Sequence, residues 1–392
     1  MQELLFLALF VAALAIGWFL GRREAIKVGF MLQPHGSAID RHYFIGLNYL
    51  LNEQPDEAIE TFIRALEVNP ETVETHIAIG KLFCQRGDVE RAIKVHQNLL
   101  ARPNLTAQQA DRVQLELARD YLAVGMHNRA ERLLDELGGS SSGLRGEALG
   151  DLVTVYEQQR EWSQAIEIGV RLLRERPGFA VTQAHYYCEI AGDALQRGDI
   201  SGAQRYLQSA LKVDSANTRA MLMLAELEAR QGNTRALLKL LQRVAIESPD
   251  FVPQILPLAR RCADNGDLDL AAYLDKVLER AEPPMLETVL ARSEQLALQE
   301  GPASAQRFLM VWVQQQPSIG GVLGLVKLQL KGAESIEQGD LQVLESLLAS
   351  LQQQRPRYRC ESCGFAGQKL YWQCPTCHGW STIQPLKGYE AV

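Results

Sequence analysis

The chain has 392 residues, of which 47% are hydrophobic but only 7% aromatic. This composition is typical of helices rich in alanine and leucine, and the length indicates either two or three domains or a repeat array. The net charge of −7 disfavours a general nucleic-acid-binding surface.

The first predicted element is a membrane anchor. Residues 4–20 are uncharged and almost wholly apolar, and Arg22 and Arg23 follow them. At about 1.5 Å per residue, such a helix spans roughly 25 Å, close to the shortest length that crosses a bilayer. A cleaved secretory signal is disfavoured because it carries positive charge before its apolar run, whereas this chain begins Met-Gln-Glu. We therefore predict a transmembrane anchor over residues 1–21, with a juxtamembrane segment over 22–36.

The two arginines also predict the orientation of the chain. Positive residues that directly follow a membrane-spanning helix stay on the cytoplasmic side. Clustered thiols together with unpaired cysteines elsewhere favour the same reducing compartment. The sequence thus predicts a single-pass protein of the inner-membrane type, with the bulk of the chain in the cytoplasm.

The region after the anchor carries a repeated spacing of small, aromatic and proline residues. Offsets of 0, 3, 12, 16, 19 and 24 separate Gly46, Tyr49, Ala58, Phe62, Ala65 and Pro70. This spacing resembles the tetratricopeptide pattern, in which a pair of antiparallel helices repeats about every 34 residues. Small residues allow the two helices to cross closely, aromatic residues fill the space beside them, and proline ends the second helix.

Weaker copies of the pattern continue along the chain. Glycines recur every 34 or 35 residues at 198, 232, 266 and 301, and prolines every 34 residues at 249, 283 and 317. We predict an all-α fold in which residues 37–355 form a tetratricopeptide-type helical solenoid of eight pairs, or nine if a helix over 341–351 belongs to one. The concave face of such a solenoid binds protein segments. The glycine- and serine-rich residues 138–143 predict a flexible surface loop or hinge.

Four of the seven cysteines form two Cys-x-x-Cys pairs, Cys360 with Cys363 and Cys374 with Cys377. Four thiolates at this spacing predict a tetrahedral site for one zinc or iron ion. Residues 356–392 are too few to build a core without such an ion, so we predict a small metal-binding domain there. Disulfides or a redox-active dithiol are the alternatives, and a cytoplasmic location disfavours both. We do not expect His378 to be a ligand, because adjacent residues rarely reach one ion.

Other residues of this segment, and the remaining cysteines and histidines, have predicted roles too. Cations are expected to offset the thiolate charge and lower the thiol pKa values, namely Arg355, Arg357, Arg359 and Lys369. Aromatic residues are expected to shield the site and dock it against the last helices, namely Phe365, Tyr371, Trp372 and Trp380. Small buried hydrophobic positions are expected for Cys84, Cys188 and Cys262. Surface or packing positions are expected for His35, His42, His76, His96, His127 and His185.

The two cysteine pairs resemble the metal-binding knuckles of rubredoxins, Cys-x-x-Cys-Gly-aromatic and Cys-Pro-x-Cys. The loop between them is shorter than in rubredoxins, and His378 stands where those proteins have glycine. The same segment resembles the zinc ribbon of a bacterial DNA-repair ATPase. These resemblances leave iron and zinc both open, and they imply two alternative functions: electron transfer, or nucleic-acid binding through the ribbon.

The order of anchor, tetratricopeptide array and rubredoxin-like segment resembles the lipopolysaccharide assembly protein B family over the whole chain. The resemblance implies an adaptor without catalytic residues in the inner membrane of Gram-negative bacteria. Such adaptors help the membrane protease FtsH to degrade LpxC, the deacetylase that commits precursor to lipid A, and an inner-membrane sensor opposes them. Implied partners therefore include these proteins and others of lipopolysaccharide synthesis or transport, while self-association stays open. The metal ligands implied are Cys360, Cys363, Cys374 and Cys377.

Overall fold

The computed structural model describes residues 73–330, 338–353 and 355–387, together with isolated positions between 45 and 61. These residues form sixteen numbered α-helices and three short strands. The predicted all-α class with a small C-terminal metal-type domain is therefore confirmed. The predicted anchor over 1–21 and the juxtamembrane segment over 22–36 lie outside the described residues. Within the part that is described, none of the helices combines the length and apolar character needed to cross a bilayer.

The elements follow one another in a regular order. The helices are α1 (Val73–Gln85), α2 (Val89–Leu100), α3 (Ala107–Ala123), α4 (His127–Gly139), α5 (Arg145–Gln159), α6 (Trp162–Leu172), α7 (Ala180–Gln196), α8 (Ile200–Val213), α9 (Thr218–Gln231), α10 (Thr234–Glu247), α11 (Val252–Asp264), α12 (Leu270–Arg280), α13 (Leu286–Glu300), α14 (Pro302–Gln315), α15 (Ile319–Leu330) and α16 (Gln338–Gln353). The strands are β1 (Tyr358–Cys360), β2 (Ala366–Gly367) and β3 (Ile383–Pro385). Short 3-10 turns at Pro177–Phe179 and Pro249–Phe251 lead into α7 and α11.

The chain divides into two compact units, residues 1–155 and 156–392. In unit 1, α1 packs with α2 and α3 with α4; in unit 2, each odd-numbered helix from α7 to α15 packs with the helix that follows it. The first helices of successive pairs also contact one another, α1 with α3 in unit 1 and α7, α9, α11, α13 and α15 in turn in unit 2. Each unit therefore presents a row of first helices, the arrangement expected of a repeat array.

Alanine at the helix crossings is fully buried, as the repeat pattern predicts. Within the described residues, the equivalent alanine of five successive repeats has zero exposure: Ala58, Ala92, Ala130, Ala165 and Ala203. A methyl group is the largest side chain that still lets two helix backbones approach this closely, while leucine and tyrosine fill the space around it. The lone cysteines behave as predicted in unit 2, where Cys188 and Cys262 are buried free thiols; Cys84 in unit 1 is half-buried.

The turns between paired helices use left-handed backbone conformations. The predicted turn glycines have positive φ, for example 79° at Gly198 and 76° at Gly232, and the Gly232 N–H donates to the Glu228 carbonyl at the end of α9. Glycine adopts this conformation without steric cost. Between α5 and α6 the corresponding residue is Arg160, with φ of 59°. The α5–α6 repeat therefore keeps the turn although it has lost the glycine.

The glycine- and serine-rich stretch is more ordered than the sequence predicts. Helix α4 extends through Gly139 and α5 begins at Arg145, so the loop covers residues 140–144. The Ser140 hydroxyl donates to the Leu137 carbonyl and accepts from the Ser142 N–H, and the Ser142 hydroxyl accepts from the Leu144 N–H. The prediction of a flexible loop over 138–143 was therefore wrong in its extent, because serine side chains supply the turn with local hydrogen bonds.

Gly80 in α1 is expected to tolerate no side chain. An added Cβ would overlap the imidazole of His96, which is fully buried and held by Asp120 through a 2.5 Å contact between Nδ1 and Oδ2. Gly80→Ala should lower the free energy of unfolding by about 1–3 kcal/mol, because overpacking forces a held side chain to move. Urea unfolding followed by circular dichroism measures this.

Gly192→Ala in α7 is the matched control. It lies in a helix with nothing within 4 Å of its added Cβ. That variant should be as stable as the parent or about 0.5–1 kcal/mol more stable, since alanine favours helix. Equal effects of the two substitutions would contradict the role assigned to His96.

Candidate metal centre and groove

The C-terminal module, residues 356–387 of the described chain, is built on a three-stranded antiparallel sheet with strand order β2-β1-β3. Cys360 at the end of β1 pairs with Ile383 in β3. The module's buried core consists of Cys360, Cys374 and Ile383, with Tyr358, Phe365 and Leu370 packed partly around them. Two of the three core residues are thus cysteines, so the core depends on what joins their sulfurs.

The four predicted ligand atoms lie together. All four Sγ atoms are within 4.8 Å of one another, with 3.7 Å between Cys360 and Cys377 and 3.6 Å between Cys363 and Cys374. A tetrahedron with metal–sulfur bonds of about 2.3 Å has edges of roughly 3.8 Å. A disulfide needs about 2.05 Å between sulfurs, so the spacing suits a metal ion and not a disulfide. Cys360 and Cys374 are buried, whereas Cys363 and Cys377 are exposed.

The two knuckles close in the same way. The Gly364 N–H donates to the Cys360 carbonyl, and the His378 N–H donates to the Cys374 carbonyl, each at 2.9 Å. Both residues have positive φ, 77° for Gly364 and 56° for His378. His378 therefore adopts the backbone conformation that glycine has in the first knuckle. Its side chain is exposed and is not among the four clustered ligand atoms.

Two of the thiols, those of Cys360 and Cys363, differ strongly in acidity. The Thr382 hydroxyl, 3.3 Å from the Cys360 sulfur, lowers the pKa of that thiol to about 6, and backbone N–H groups add to the effect. The Phe365 N–H favours the Cys363 thiolate, but partial desolvation by the surrounding loop and hydrogen bonds with the three neighbouring thiols outweigh it and raise the Cys363 pKa to about 12. The sequence predicted that nearby arginines lower the thiol pKa values, whereas the largest cause at Cys360 is Thr382. Deprotonation of the other thiols places more negative charge beside the Cys360 thiolate, and a cation bound between the sulfurs offsets that charge. The four thiols therefore fit a bound metal ion.

The module docks on helices in the middle of the array. The Trp380 ring lies 4.9 Å from the His185 ring in a stacked arrangement and contacts Trp162 and Tyr186 edge-on. His185 Nε2 is 2.6 Å from the Ser381 hydroxyl. The turn after the second knuckle is thereby seated between α6 and α7.

A second set of contacts joins the module to the start of α11 and to the 3-10 turn before it. Trp372 stacks on Phe251 with centroids 5.7 Å apart, and the Gln254 amide donates to the Tyr358 hydroxyl at 2.6 Å. Lys387 forms an ion pair with Asp250 at 2.6 Å. The module therefore spans from α7 to the start of α11.

The predicted docking of the aromatic residues against the last helices was wrong. Trp380 docks on α6 and α7, and Trp372 docks on α7 and on the 3-10 turn before α11, while Phe365 and Tyr371 pack on each other. Position in the sequence does not tell in which direction the chain turns after α16, and the aromatic residues of the module contact His185 and Tyr186 on α7 instead. Sequence reasoning also missed the docking role of His185, for which the Tyr186-Tyr187 pair beside it was the available signal.

Docking of the module is expected to weaken in acid because of His185. Burial, with help from the positive charge of Arg219, lowers the pKa of His185 to about 3 from its ordinary 6.5. The unfolded chain therefore takes up a proton below pH 6.5 that the folded chain refuses. Stability is fully present above pH 6.5 and falls towards pH 3, by about 1.4 kcal/mol per pH unit.

His185→Gln is the comparison that isolates this effect. The neighbours of His185 that face it are Trp372, Trp380, Ser381 and Arg219, of which only Arg219 is charged. Unfolding free energies measured between neutral pH and about pH 5 should fall less steeply in the variant. Both proteins keep the thiol cluster, so acid release of a metal affects them alike. Identical slopes would contradict the assignment to His185.

Unit 1 carries an open groove of about 870 Å³ along its first helices. Helices α1, α3 and α5 and the serine loop line it. The charged side chains are balanced in sign and joined by ion pairs: Lys81 and Arg119 both contact Glu116, at 2.8 and 3.2 Å, and Arg119 also contacts Glu147 and Asp151. A polar groove of this kind offers hydrogen bonds and charges to a polar protein segment.

The chain matches several known families. Residues 358–385 match the family model described as the rubredoxin metal binding domain, and residues 45–103 and 194–262 match tetratricopeptide repeat models. The chain is 32% identical over 396 residues to "Lipopolysaccharide assembly protein B" of Escherichia coli (strain K12), with 100% of each chain covered. A protein of the same name from Haemophilus influenzae is 32% identical over 403 residues, again with 100% of each covered. The crystal structure of MamA aligns with a TM-score of 0.36 and 20% identity, covering 45% of this chain and 92% of that one.

Proposed function

Because the chain belongs to the lipopolysaccharide assembly protein B family, we propose that it is a membrane-tethered adaptor that regulates lipopolysaccharide biosynthesis. The observation that supports this most directly is the groove of unit 1, an open polar surface on the row of first helices that carries paired charges. An adaptor acts by binding proteins and needs no turnover of its own. The full-length similarity favours this function over electron transfer and over nucleic-acid binding.

The proposed action is delivery of a substrate to a protease. The adaptor promotes degradation of the deacetylase LpxC by the membrane protease FtsH, and an inner-membrane sensor opposes it. A polar segment of one of these partners occupies the groove of unit 1. Holding a substrate next to a protease raises its effective concentration there without any new chemistry.

The proposed location supports the same action. Residues 1–21 span the bacterial inner membrane once, and the rest of the chain lies in the cytoplasm. Confining the chain to the membrane plane raises its concentration near other membrane proteins. Deletion of residues 1–21 should therefore impair function even where the array folds, and full activity of the untethered chain would contradict the tether.

We further propose that Cys360, Cys363, Cys374 and Cys377 hold one zinc or iron ion. Such an ion supplies a cross-link between the two knuckles, whose sulfurs already have suitable spacing. The first strand of the module contacts α11 through Tyr358, and the turn after the second knuckle contacts α7 through Trp380 and Ser381. A metal held by these ligands therefore keeps the two contact surfaces of the module at a fixed distance from each other, and each surface contacts a different repeat.

Reversing an exposed charge in the groove tests the proposed partner site. Arg112 lines the groove and is half-exposed, with Glu74 as its ion-pair partner. Arg112→Glu should weaken partner binding by about tenfold, because it places an acid where the partner met a cation. The measurement is the half-life of LpxC in cells that carry the variant, together with crosslinking of the variant to LpxC and FtsH. A longer half-life and weaker crosslinking are expected.

Arg132→Glu is the matched control, since Arg132 is an exposed arginine on α4, a second helix. It should leave both readouts unchanged. Normal LpxC turnover with Arg112→Glu would exclude this groove as the partner site, and normal turnover without the whole protein would exclude the proposed function.

A further inference from the structure

The last helix of the array has an apolar stripe that faces solvent. Val343, Leu344, Leu347 and Leu351 are 59%, 42%, 58% and 52% exposed. At 100° per residue they fall within an arc of about 100° on one side of α16. Another side of α16 packs against α15, so the stripe is not part of the core.

The stripe is more than scattered surface hydrophobicity. Single exposed aliphatic residues are normal, but several on one face of a helix mark a surface that is buried in some other state. The rest of the outward face of α16 is polar, with Gln342, Ser346 and Ser350. The solvent-facing side of α16 therefore has an apolar strip beside a polar strip, separate from the side that packs against α15.

Positive charge follows the stripe directly. Residues 355–387 contain five lysines and arginines but a single acidic residue, in a chain whose net charge is −7. Four of the cations are exposed: Arg355, Arg357, Arg359 and Lys369. In β1, Arg359 lies on the opposite face of the sheet from the half-buried Tyr358 and the buried Cys360, because side chains alternate along a strand.

A pair of hydrogen bonds brings the cations next to the stripe. The Gln368 amide donates to the Gln353 carbonyl at the end of α16, at 3.0 Å, and to the Arg355 carbonyl. Lys369 is the next residue, and Leu351 is half a turn of helix before Gln353. The C-terminal end of the stripe thus lies close along the chain and in space to Arg355 and Lys369 in unit 2.

From this arrangement we infer that α16 and the adjoining cations form a docking surface for an anionic lipid membrane. The aliphatic side chains enter the boundary between headgroups and acyl chains, and the cations lie against lipid phosphates. Nucleic acid would use the cations but would leave the stripe in water. A symmetric pairing of two copies would cover the stripe but bring two sets of cations together. The membrane is supplied by the proposed tether, on which this inference rests.

Hydrogen exchange of the full chain in lipid nanodiscs tests the inference. Discs of phosphatidylcholine alone are compared with discs that also contain phosphatidylglycerol. Exchange in α16 should slow only in the anionic discs, and added salt should reverse the effect. Leu347→Gln should abolish the slowing, while Ile246→Gln, a change at a 54% exposed position on α10, should not.

Charge removal gives an independent readout. Arg357→Gln with Lys369→Gln should lower the protection of α16 by about fivefold for each charge. The control is Arg235→Gln with Lys239→Gln, which removes two exposed cations from α10. Metal content of each variant is measured in parallel, so that loss of the metal site is not mistaken for loss of docking.

The opposing outcomes are distinct. The inference would be overturned by equal protection of α16 in both kinds of disc, or by no protection in either. It would also be overturned by protection in lipid-free detergent that grows with protein concentration, which would indicate that a second copy of the chain covers the stripe. Retention by RNA in place of lipid would overturn it as well. If residues 1–21 do not hold the chain in discs of either composition, the tether fails; cosedimentation with phosphatidylglycerol vesicles then still decides whether α16 docks.

Discussion

Cys374→Ser is expected to abolish metal binding and to unfold the C-terminal module. The Cys374 sulfur is fully buried and 3.6 Å from the Cys363 sulfur, and the cysteine is one of three residues in the module's core. Structural zinc sites in small domains contribute about 10–16 kcal/mol of apparent binding free energy, which here is also folding free energy. Few other single substitutions in the described chain should cost as much.

The measurements are metal content by mass spectrometry and hydrogen exchange in residues 356–387. In the variant, the metal content should fall from about one ion per chain to near zero, and the amides of β1 and β3 should lose protection. Cys262→Ser is the control, because Cys262 is also a buried cysteine but lies in α11, outside the cluster. Retention of one ion with an intact module would contradict the proposed ligand set.

Trp380→Ala is expected to release the module from α6 and α7 while leaving the thiol cluster intact. The Trp380 ring contacts the rings of Trp162, His185 and Tyr186, and no cysteine is among these partners. Removing a packed tryptophan costs about 3–5 kcal/mol, and aromatic contacts such as these account for part of it. Exchange in α7 should therefore rise, and His185 should become accessible to solvent.

Tyr371→Ala is the matched control for Trp380→Ala. Tyr371 is an aromatic residue of the same module, 42% exposed, and its ring contact is with Phe365 inside the module. It should change neither the exchange of α7 nor the metal content. Loss of the metal in Trp380→Ala would mean that docking and metal binding form one cooperative unit, and unchanged exchange in α7 would contradict the docking contact itself.

Together, the two substitutions separate what the metal does from what the docking surface does. A chain without the metal should lose both the fold of the module and the docking contacts of the module with α7 and α11. A chain without the Trp380 side chain should keep the fold of the module but lose its docking contacts with α7. If only Cys374→Ser impairs the proposed control of LpxC, the module itself contacts a partner; if both substitutions do, the module acts by stabilising the array.

The cysteine knuckles could be predicted because their information is local. Ligands three positions apart on each knuckle bring two sulfurs near one ion whatever the rest of the chain does, and the structure accordingly places all four sulfurs together. The helical repeats could be predicted equally well, since glycine at 198 and 232 and alanine at 58 and 92 recur at the 34-residue period of a helix pair. These patterns depend on neighbours within a few tens of residues.

The thiol pKa values and the backbone conformation at His378 could not be predicted, because both depend on which groups form hydrogen bonds in the folded module. The arginines of the module were expected to lower the thiol pKa values. The largest effect on the Cys360 pKa comes instead from the hydroxyl of Thr382, which follows the second knuckle in the chain. His378 was recognised as a departure from rubredoxin, yet only its φ of 56° shows that it keeps the glycine-like turn. Backbone conformation and hydrogen-bond partners depend on atoms that a spacing rule does not contain.

The sequence by itself thus determined the class of the protein: a helical repeat array, four clustered thiols and, by resemblance, the family. Only the tertiary structure decided where the module docks, that the stripe on α16 stays exposed, and that His185 is buried beside Ser381. The last two residues are 196 positions apart, and no local pattern links them. Such contacts arise when the chain folds back on itself, and the path it takes depends on which apolar surfaces remain uncovered once the local elements have formed.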